Sequence, residues 1–276
     1  LGILFVVSID KKERMYINMN NFFDLTGKVA VVTGASSGLG ADAALAYANA
    51  GADVALLARR IEKLNEVKAE IEKIGRKVVA VGCDVTNEES VKTAMQTVLD
   101  TFGHIDILLN NAGIAVRGGV DSMSVEDWDK SFDTNVKGIF LASKYVLPQM
   151  KERGYGKIIN IASVNAVVAD KFDVFIRHSY NSSKAAVVGL TRGMAASYAK
   201  YGITVNAIGP ALFESEMTSE TLFKSENFLN QYNTLNPAGR PGRKGELNGT
   251  VLYLSSDSSS YVQGQFIIVD GGGALV

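Results

Sequence analysis

From Lys28 onward, short runs of consecutive apolar residues alternate with longer stretches in which apolar residues recur every three to four positions. The first pattern predicts strands and the second predicts amphipathic helices. Strands are expected at 29–33, 54–57, 78–82, 107–110, 157–161, 204–208 and 266–269, with helices near 38–50, 61–74, 87–102, 124–153, 178–200 and 245–256. Runs this apolar suit strands covered on both faces. Such alternation builds βαβ units joined by right-handed crossovers. The expected fold class is α/β, a single domain over 21–276 with a doubly wound parallel seven-stranded sheet and helices on both faces. Ligands of such sheets bind outside the strands' carboxyl ends. The stretch 211–244, with Pro237, Gly239, Pro241 and Gly242, breaks the rhythm and is expected to form a lid over a substrate.

Residues 1–20 lie outside this pattern. Leu1 to Val7 is apolar but far shorter than the ~20 residues of a membrane span. Its basic neighbours Lys11, Lys12 and Arg14 follow the apolar run, whereas a secretory leader places them before it. We expect 1–20 to be a disordered or non-native extension, and no membrane association. The 276 residues are 47% hydrophobic and 21% charged, which describes a globular chain with ample core. A net charge of −1 leaves no basic footprint for nucleic acid. The single cysteine, Cys83, rules out an intrachain disulfide, suits the cytoplasm, and is expected to pack at a strand end. His104 and His178 have no ligand spacing with it, so no metal is expected. Glu88 and Glu89 fall in a helix's first turn, where they complement its dipole.

Chemistry enters with Thr33-Gly34-Ala35-Ser36-Ser37-Gly38-Leu39-Gly40, which joins the first expected strand to the first helix. Glycines there let backbone approach a ligand closely, and the helix amino end offers N–H groups and partial positive charge to a pyrophosphate. Gly34, Ser36, Ser37, Gly38, Leu39 and Gly40 are therefore candidate dinucleotide-binding residues. At the end of the second strand, where NAD enzymes commonly carry an acidic residue, stand Ala58, Arg59 and Arg60. Arginine pairs with a 2′-phosphate through charge-assisted hydrogen bonds worth about 1.5–3 kcal/mol, which favours NADP while leaving NAD open. Arg59 is the stronger candidate, with Arg60 solvated at the start of the next helix.

Tyr180 and Lys184 are spaced to share one face of a helix. A free tyrosine, with a pKa near 10, is a poor base at neutral pH. An ammonium about 4 Å away, at an effective dielectric near 20, interacts by roughly 4 kcal/mol and lowers that value by about three units. Tyr180 thereby reaches the range of efficient acid–base transfer. Ser163, at the end of the fifth strand, is placed to hydrogen-bond a substrate oxygen beside it.

Taken in order along the chain, these motifs resemble the short-chain dehydrogenase/reductase family of Rossmann-fold enzymes. The three-residue gap between Gly34 and Gly38, Asn110-Asn111-Ala112-Gly113, Cys83-Asp84-Val85, Tyr180 with Lys184, and Val269-Asp270-Gly271-Gly272 carry the resemblance from about 23 to 276. It implies that Asp84 and Val85 border an adenine, that Asn111, Ala112 and Gly113 line the cofactor, and that Asn206 and Pro210 stand beside the nicotinamide. It further implies that Asn135 completes a tetrad with Ser163, Tyr180 and Lys184 by holding a water that relays protons to Lys184, which also binds ribose together with Tyr180. Ala211 and Ser215 depart from the family's usual glycine and threonine. A homotetramer is the usual assembly. The overall pattern is most similar to sugar-acid reductases of the gluconate 5-dehydrogenase group, acting on a small carbonyl or alcohol. The 3-oxoacyl-carrier-protein reductases and hydroxysteroid dehydrogenases share the same machinery, and a non-catalytic sensor of NADP redox state is the alternative outside enzymes. The basic side chains Lys171 and Arg177, between Ser163 and Tyr180, are placed to meet a substrate carboxylate.

Overall fold

The structure, a computed structural model, describes residues 22–169, 175–215, 218 and 222–276. The expected extension at 1–20, Lys171 and part of the expected lid lie outside the described residues. Seven strands, β1 (Val29–Thr33), β2 (Asp53–Ala58), β3 (Val78–Gly82), β4 (Ile107–Asn110), β5 (Gly156–Ile161), β6 (Ile203–Pro210) and β7 (Phe266–Val269), form one sheet in the order β3-β2-β1-β4-β5-β6-β7. Every pairing is parallel. The helices are α1 (Gly38–Asn49), α2 (Ile61–Lys73), α3 (Glu88–Phe102), α4 (Val125–Phe132), α5 (Gly138–Arg153), α6 (His178–Tyr198), α7 (Glu226–Leu235) and α8 (Asn248–Ser255).

The apolar strand runs are explained by burial on both faces. Ala30, Val32 and Leu56 pack with Tyr47 and Val251 on one side, while Val31, Leu57 and Leu108 pack with Val91 and Val146 on the other. Each such aliphatic side chain withdrawn from water contributes about 1.5–3 kcal/mol. The chain order reverses between β1 and β4, and the crevice of a doubly wound sheet opens at that reversal. At the opposite end of these strands the buried Asp106 carboxylate accepts the Val29 N–H at 2.9 Å and pairs with Arg153 and His104. His104 is thus a turn residue held by a carboxylate. Cys83 is buried, and burial raises its thiol to about 11, as fits a packing role.

Two elements differ from expectation. The single helix expected over 124–153 is broken: Ser124 caps α4 by accepting the Asp127 N–H, and a π-helical turn over Asp133–Lys137 separates α4 from α5. Single π turns of this kind accompany functional sites, and Asn135 sits inside this one. The stretch expected as an irregular lid contains α7, whose amino end is capped by Ser225 accepting from Phe228 N–H. Phe228, Tyr232 and Leu235 recur at helical spacing, a signal overridden in the sequence by the prolines and glycines that follow.

Candidate active site

A cleft of about 1020 Å³ lies at the carboxyl ends of the strands. Its first wall is the β1–α1 loop. Gly34 has φ +66°, and a Cβ there would stand 2.8 Å from the Ala112 Cα. At Gly40 a Cβ would overlap the Asn111 side chain and the Gly34 carbonyl. The loop is locked from behind, because Thr33 Oγ1 accepts the N–H groups of Asn111 and Ala112 at 3.0 and 3.1 Å. Asn111 Nδ2 returns the contact by donating to the carbonyls of Thr33 and Gly34. Ser37 makes no side-chain cap on α1, and the helix's first turn holds no acidic residue. No carboxylate of its own first turn therefore neutralises the positive end of α1, a condition that suits an anionic phosphate.

Of the expected dinucleotide residues, Gly34, Ser36, Ser37, Gly38 and Leu39 line the cleft, as do Arg59, Asp84, Val85, Asn111, Ala112, Gly113 and Pro210. Gly40 packs behind the loop. Hydrogen bonds from Thr86, helped by the charges of Arg59 and Lys137, hold the Asp84 carboxyl below its usual range. Arg60 is exposed at the start of α2, as expected, and also makes a contact that was not expected. Its Nη2 reaches Ser36 Oγ at 3.2 Å and Ser37 Oγ at 3.1 Å, so it spans the glycine loop. Asn206 also differs: it is buried in the sheet, donating to the Val262 carbonyl and accepting from Gln265 N–H, and it ties β6 to the loop that leads into β7 rather than facing the cleft.

Ser163, Tyr180 and Lys184 line the same cleft. Ser163 is buried, and its Oγ accepts the Asn165 N–H at 3.1 Å. Asn165, with its Oδ1 3.4 Å from the Ser163 hydroxyl, is a cleft residue that the sequence did not single out. The 3-10 turn Val164–Ala166 places it there, and no spacing rule marks such a turn. Lys184 Nζ lies 5.7 Å from the Tyr180 ring centroid and donates to the Ile161 carbonyl at 2.8 Å. Burial lowers this lysine to about 8. Asn135 is wholly buried behind the cleft. Its Oδ1 accepts Ile114 N–H, and its Nδ2 donates to the Ile114 carbonyl and to Ser183 Oγ. The asparagine side chain thus clamps the loop after Gly113 onto α6. Ser215 abuts Gly38 and exchanges a 3.1 Å hydrogen bond with Thr218.

The far wall is aromatic. Phe175 and Phe228 meet with ring centroids 5.0 Å apart, Phe228 and Tyr232 at 6.1 Å, and Leu222 and Leu235 extend the surface. No helix among the described residues is long and apolar enough to cross a membrane, and no cluster there has metal-ligand character.

What the fold defines is a Rossmann-type oxidoreductase, whose cleft has the glycine-rich loop at one end and Ser163, Tyr180 and Lys184 at the other. The chain belongs to the short-chain dehydrogenase/reductase family: residues 34–273 match the family profile described as enoyl-(acyl carrier protein) reductase. It is similar to gluconate 5-dehydrogenase of Gluconobacter oxydans (strain 621H), with 39% identity over 252 residues, 91% of this chain and 96% of that protein. It is similar also to a 3-oxoacyl-(acyl-carrier-protein) reductase of Thermotoga maritima, with 36% identity over 249 residues, 90% of this chain and 98% of that one. Among solved structures, a gluconate 5-dehydrogenase from Burkholderia cenocepacia J2315, in complex with NADP and tartrate, superposes with a TM-score of 0.87 at 35% identity, covering 92% of this chain and 98% of that one.

Proposed function

We propose that the protein interconverts a keto sugar acid, such as 5-ketogluconate, and the corresponding secondary alcohol, using NADP(H). The observation that carries this reading is that Ser163, Tyr180 and Lys184 open onto the same cleft as the glycine loop and the arginine pair. When bound, the nicotinamide supplies or accepts the hydride. The β1–α1 loop and the amino end of α1 hold the pyrophosphate. Arg59, Arg60 and the Ser36 and Ser37 hydroxyls take the 2′-phosphate, which is the basis for preferring NADP. Asp84 and Val85 border the adenine, Asn111, Ala112, Gly113 and Pro210 line the path to the nicotinamide, and Tyr180 and Lys184 bind the ribose.

In reduction, Tyr180 Oη donates its proton to the carbonyl oxygen as the bond to the reacting carbon forms. In oxidation the phenolate takes the proton back. The Ser163 hydroxyl donates to the same oxygen, and Asn165 fixes the direction of that hydroxyl through its backbone N–H. The Lys184 ammonium favours the phenolate electrostatically. Asn135 holds Ile114 and Ser183 in place, and with them the floor on which a proton relay to Lys184 stands. Thr33 keeps Asn111 and Ala112 against the glycine loop, so cofactor and substrate ends keep a fixed separation.

Similarity to gluconate 5-dehydrogenases supports the sugar-acid substrate. A second reading, reduction of a 3-oxoacyl thioester, is favoured by the aromatic far wall of Phe175, Phe228 and Tyr232. Absorbance of NADPH decides between them. We expect 5-ketogluconate to be reduced with the highest kcat/KM of a panel that includes acetoacetyl thioester and a ketosteroid; a panel led by the thioester reverses the order of the two readings. Tight NADPH binding without turnover of any carbonyl would make the protein a redox sensor. A cytoplasmic homotetramer accompanies this proposal, supported by the exposed Phe140, Tyr261 and Leu275, and a monomeric mass in solution would contradict it.

A further inference from the structure

Among the described residues, four cations line the cleft, and they divide by position. Arg59 and Arg60 stand beside the glycine loop, and Lys184 is buried with Nζ on the Ile161 carbonyl. Arg177 stands at the substrate end, half-buried, immediately before α6, with its guanidinium carbon 5.5 Å from the Tyr180 ring centroid. Its backbone is clipped on both sides: Gly118 N–H donates to the Ile176 carbonyl at 2.9 Å, and His178 N–H donates to the Gly118 carbonyl at 3.1 Å. Val120 N–H adds a bond to His178 Nδ1 at 3.1 Å. The turn that carries Arg177, and the first residue of the helix that carries the tyrosine, are therefore fixed to the segment Gly118–Val120.

We propose that Arg177 is a specificity residue that binds a substrate carboxylate and thereby holds the carbonyl carbon beside Tyr180. The inference rests on the sugar-acid reading above and names the group that selects for the acid. A guanidinium offers a planar fork that matches a carboxylate with two parallel hydrogen bonds. The apolar rings of Phe175 and Phe228 line the same cavity and lower the local dielectric, so a charged contact there is stronger than at an open surface. A contact of this kind discriminates an acid from its neutral analogue by about 10- to 100-fold.

The test compares D-gluconate with D-glucitol, which share a six-carbon polyol chain and differ in the carboxylate. Their dissociation constants are read from NADPH fluorescence on NADPH-loaded wild type, Arg177→Gln and Arg177→Lys. The wild type is expected to hold gluconate at least about 10-fold more tightly than glucitol. R177Q is expected to remove that preference while leaving the affinities for glucitol and NADPH unchanged, and R177K to restore it in part. A preference that survives R177Q, or its absence in the wild type, overturns the inference. Should R177Q lose NADPH binding through misfolding, R177K decides: full wild-type gluconate affinity contradicts the guanidinium fork, and partial affinity supports it. Turnover of 5-ketogluconate, measured alongside, separates the two proposals. An Arg177-dependent preference without 5-ketogluconate turnover removes only the sugar-acid substrate, and turnover with an Arg177-independent preference removes only the role of Arg177.

Discussion

Thr33, behind the glycine loop, and Phe228, in the aromatic wall, support opposite ends of one cleft and are held by different physics. Thr33 is buried in the sheet, and its hydroxyl accepts two backbone N–H groups that fix the glycine loop against Asn111 and Ala112. Phe228 rests on ring contacts with Phe175 and Tyr232, on a helix that has no buried residue. Hydrogen bonds to buried backbone are directional and costly to leave unmade, whereas partly exposed ring contacts are each worth only about 0.5–1.5 kcal/mol and tolerate rearrangement. One end of the cleft is thus built for a single ligand geometry, and the other for adaptable contact.

Gly40→Ala should produce the largest effect, because its methyl group would overlap Gly34 and Asn111 on the rigid side. NADPH affinity, measured by fluorescence, should fall by at least about a thousandfold, near 4 kcal/mol; a small loss would show that the loop is as adaptable as the aromatic wall. Next come the two arginines. Arg60→Gln should weaken NADPH by about 10- to 100-fold with little change for NADH, since Arg60 spans Ser36 and Ser37. Arg59→Gln, whose neighbour is Asp84, should do the same to a smaller extent, and the reverse ranking would return the phosphate to Arg59.

Lys184 lies where the two ends meet. Burial lowers it to about 8, below the ~10.4 of an exposed lysine. Between those values the unfolded chain binds a proton that the folded chain does not, so this group's contribution to stability rises with pH across that window. The rise is on the order of 2 kcal/mol. It should disappear in Lys184→Met when urea midpoints at pH 8 and pH 10 are compared with the wild type, and an unchanged pH dependence would place the ammonium in water. Phe228→Ala should have the smallest effect, a KM increase of about threefold to tenfold at unchanged NADPH affinity, in line with the loss of ring contacts. A collapse of kcat would show that the aromatic wall is as exacting as the glycine loop.

The same contrast separates what the sequence revealed from what it withheld. The inner strands β1, β2, β4, β5 and β6 were legible because burial on both faces writes apolar runs, and the half-buried edge strands β3 and β7 keep such runs as well. The glycine loop was legible because close backbone approach admits only one residue type at Gly34 and Gly40. Tyr180 and Lys184 were legible through helical spacing. The π turn at Asp133–Lys137 was hidden because its residues suit a regular helix, and the interruption comes from Asn135 bonding to Ile114 and Ser183, distant in sequence. The contact of Arg60 with Ser36 and Ser37 was not legible because a doublet of arginines does not say which one turns back onto the loop. Asn206 was misassigned because a polar residue near a strand end reads as a ligand contact until its partners in a neighbouring loop, Val262 and Gln265, are known. In α7 the helical spacing of Phe228, Tyr232 and Leu235 was present but lost among turn-forming neighbours.

Reduction of 5-ketogluconate by Tyr180→Phe under single-turnover conditions, with NADPH saturating, tests most directly whether the phenol delivers the proton. The rate should fall by about 10²- to 10⁴-fold while NADPH affinity stays within a factor of a few. A phenylalanine enzyme that reduces the ketone at the wild-type rate would contradict the account.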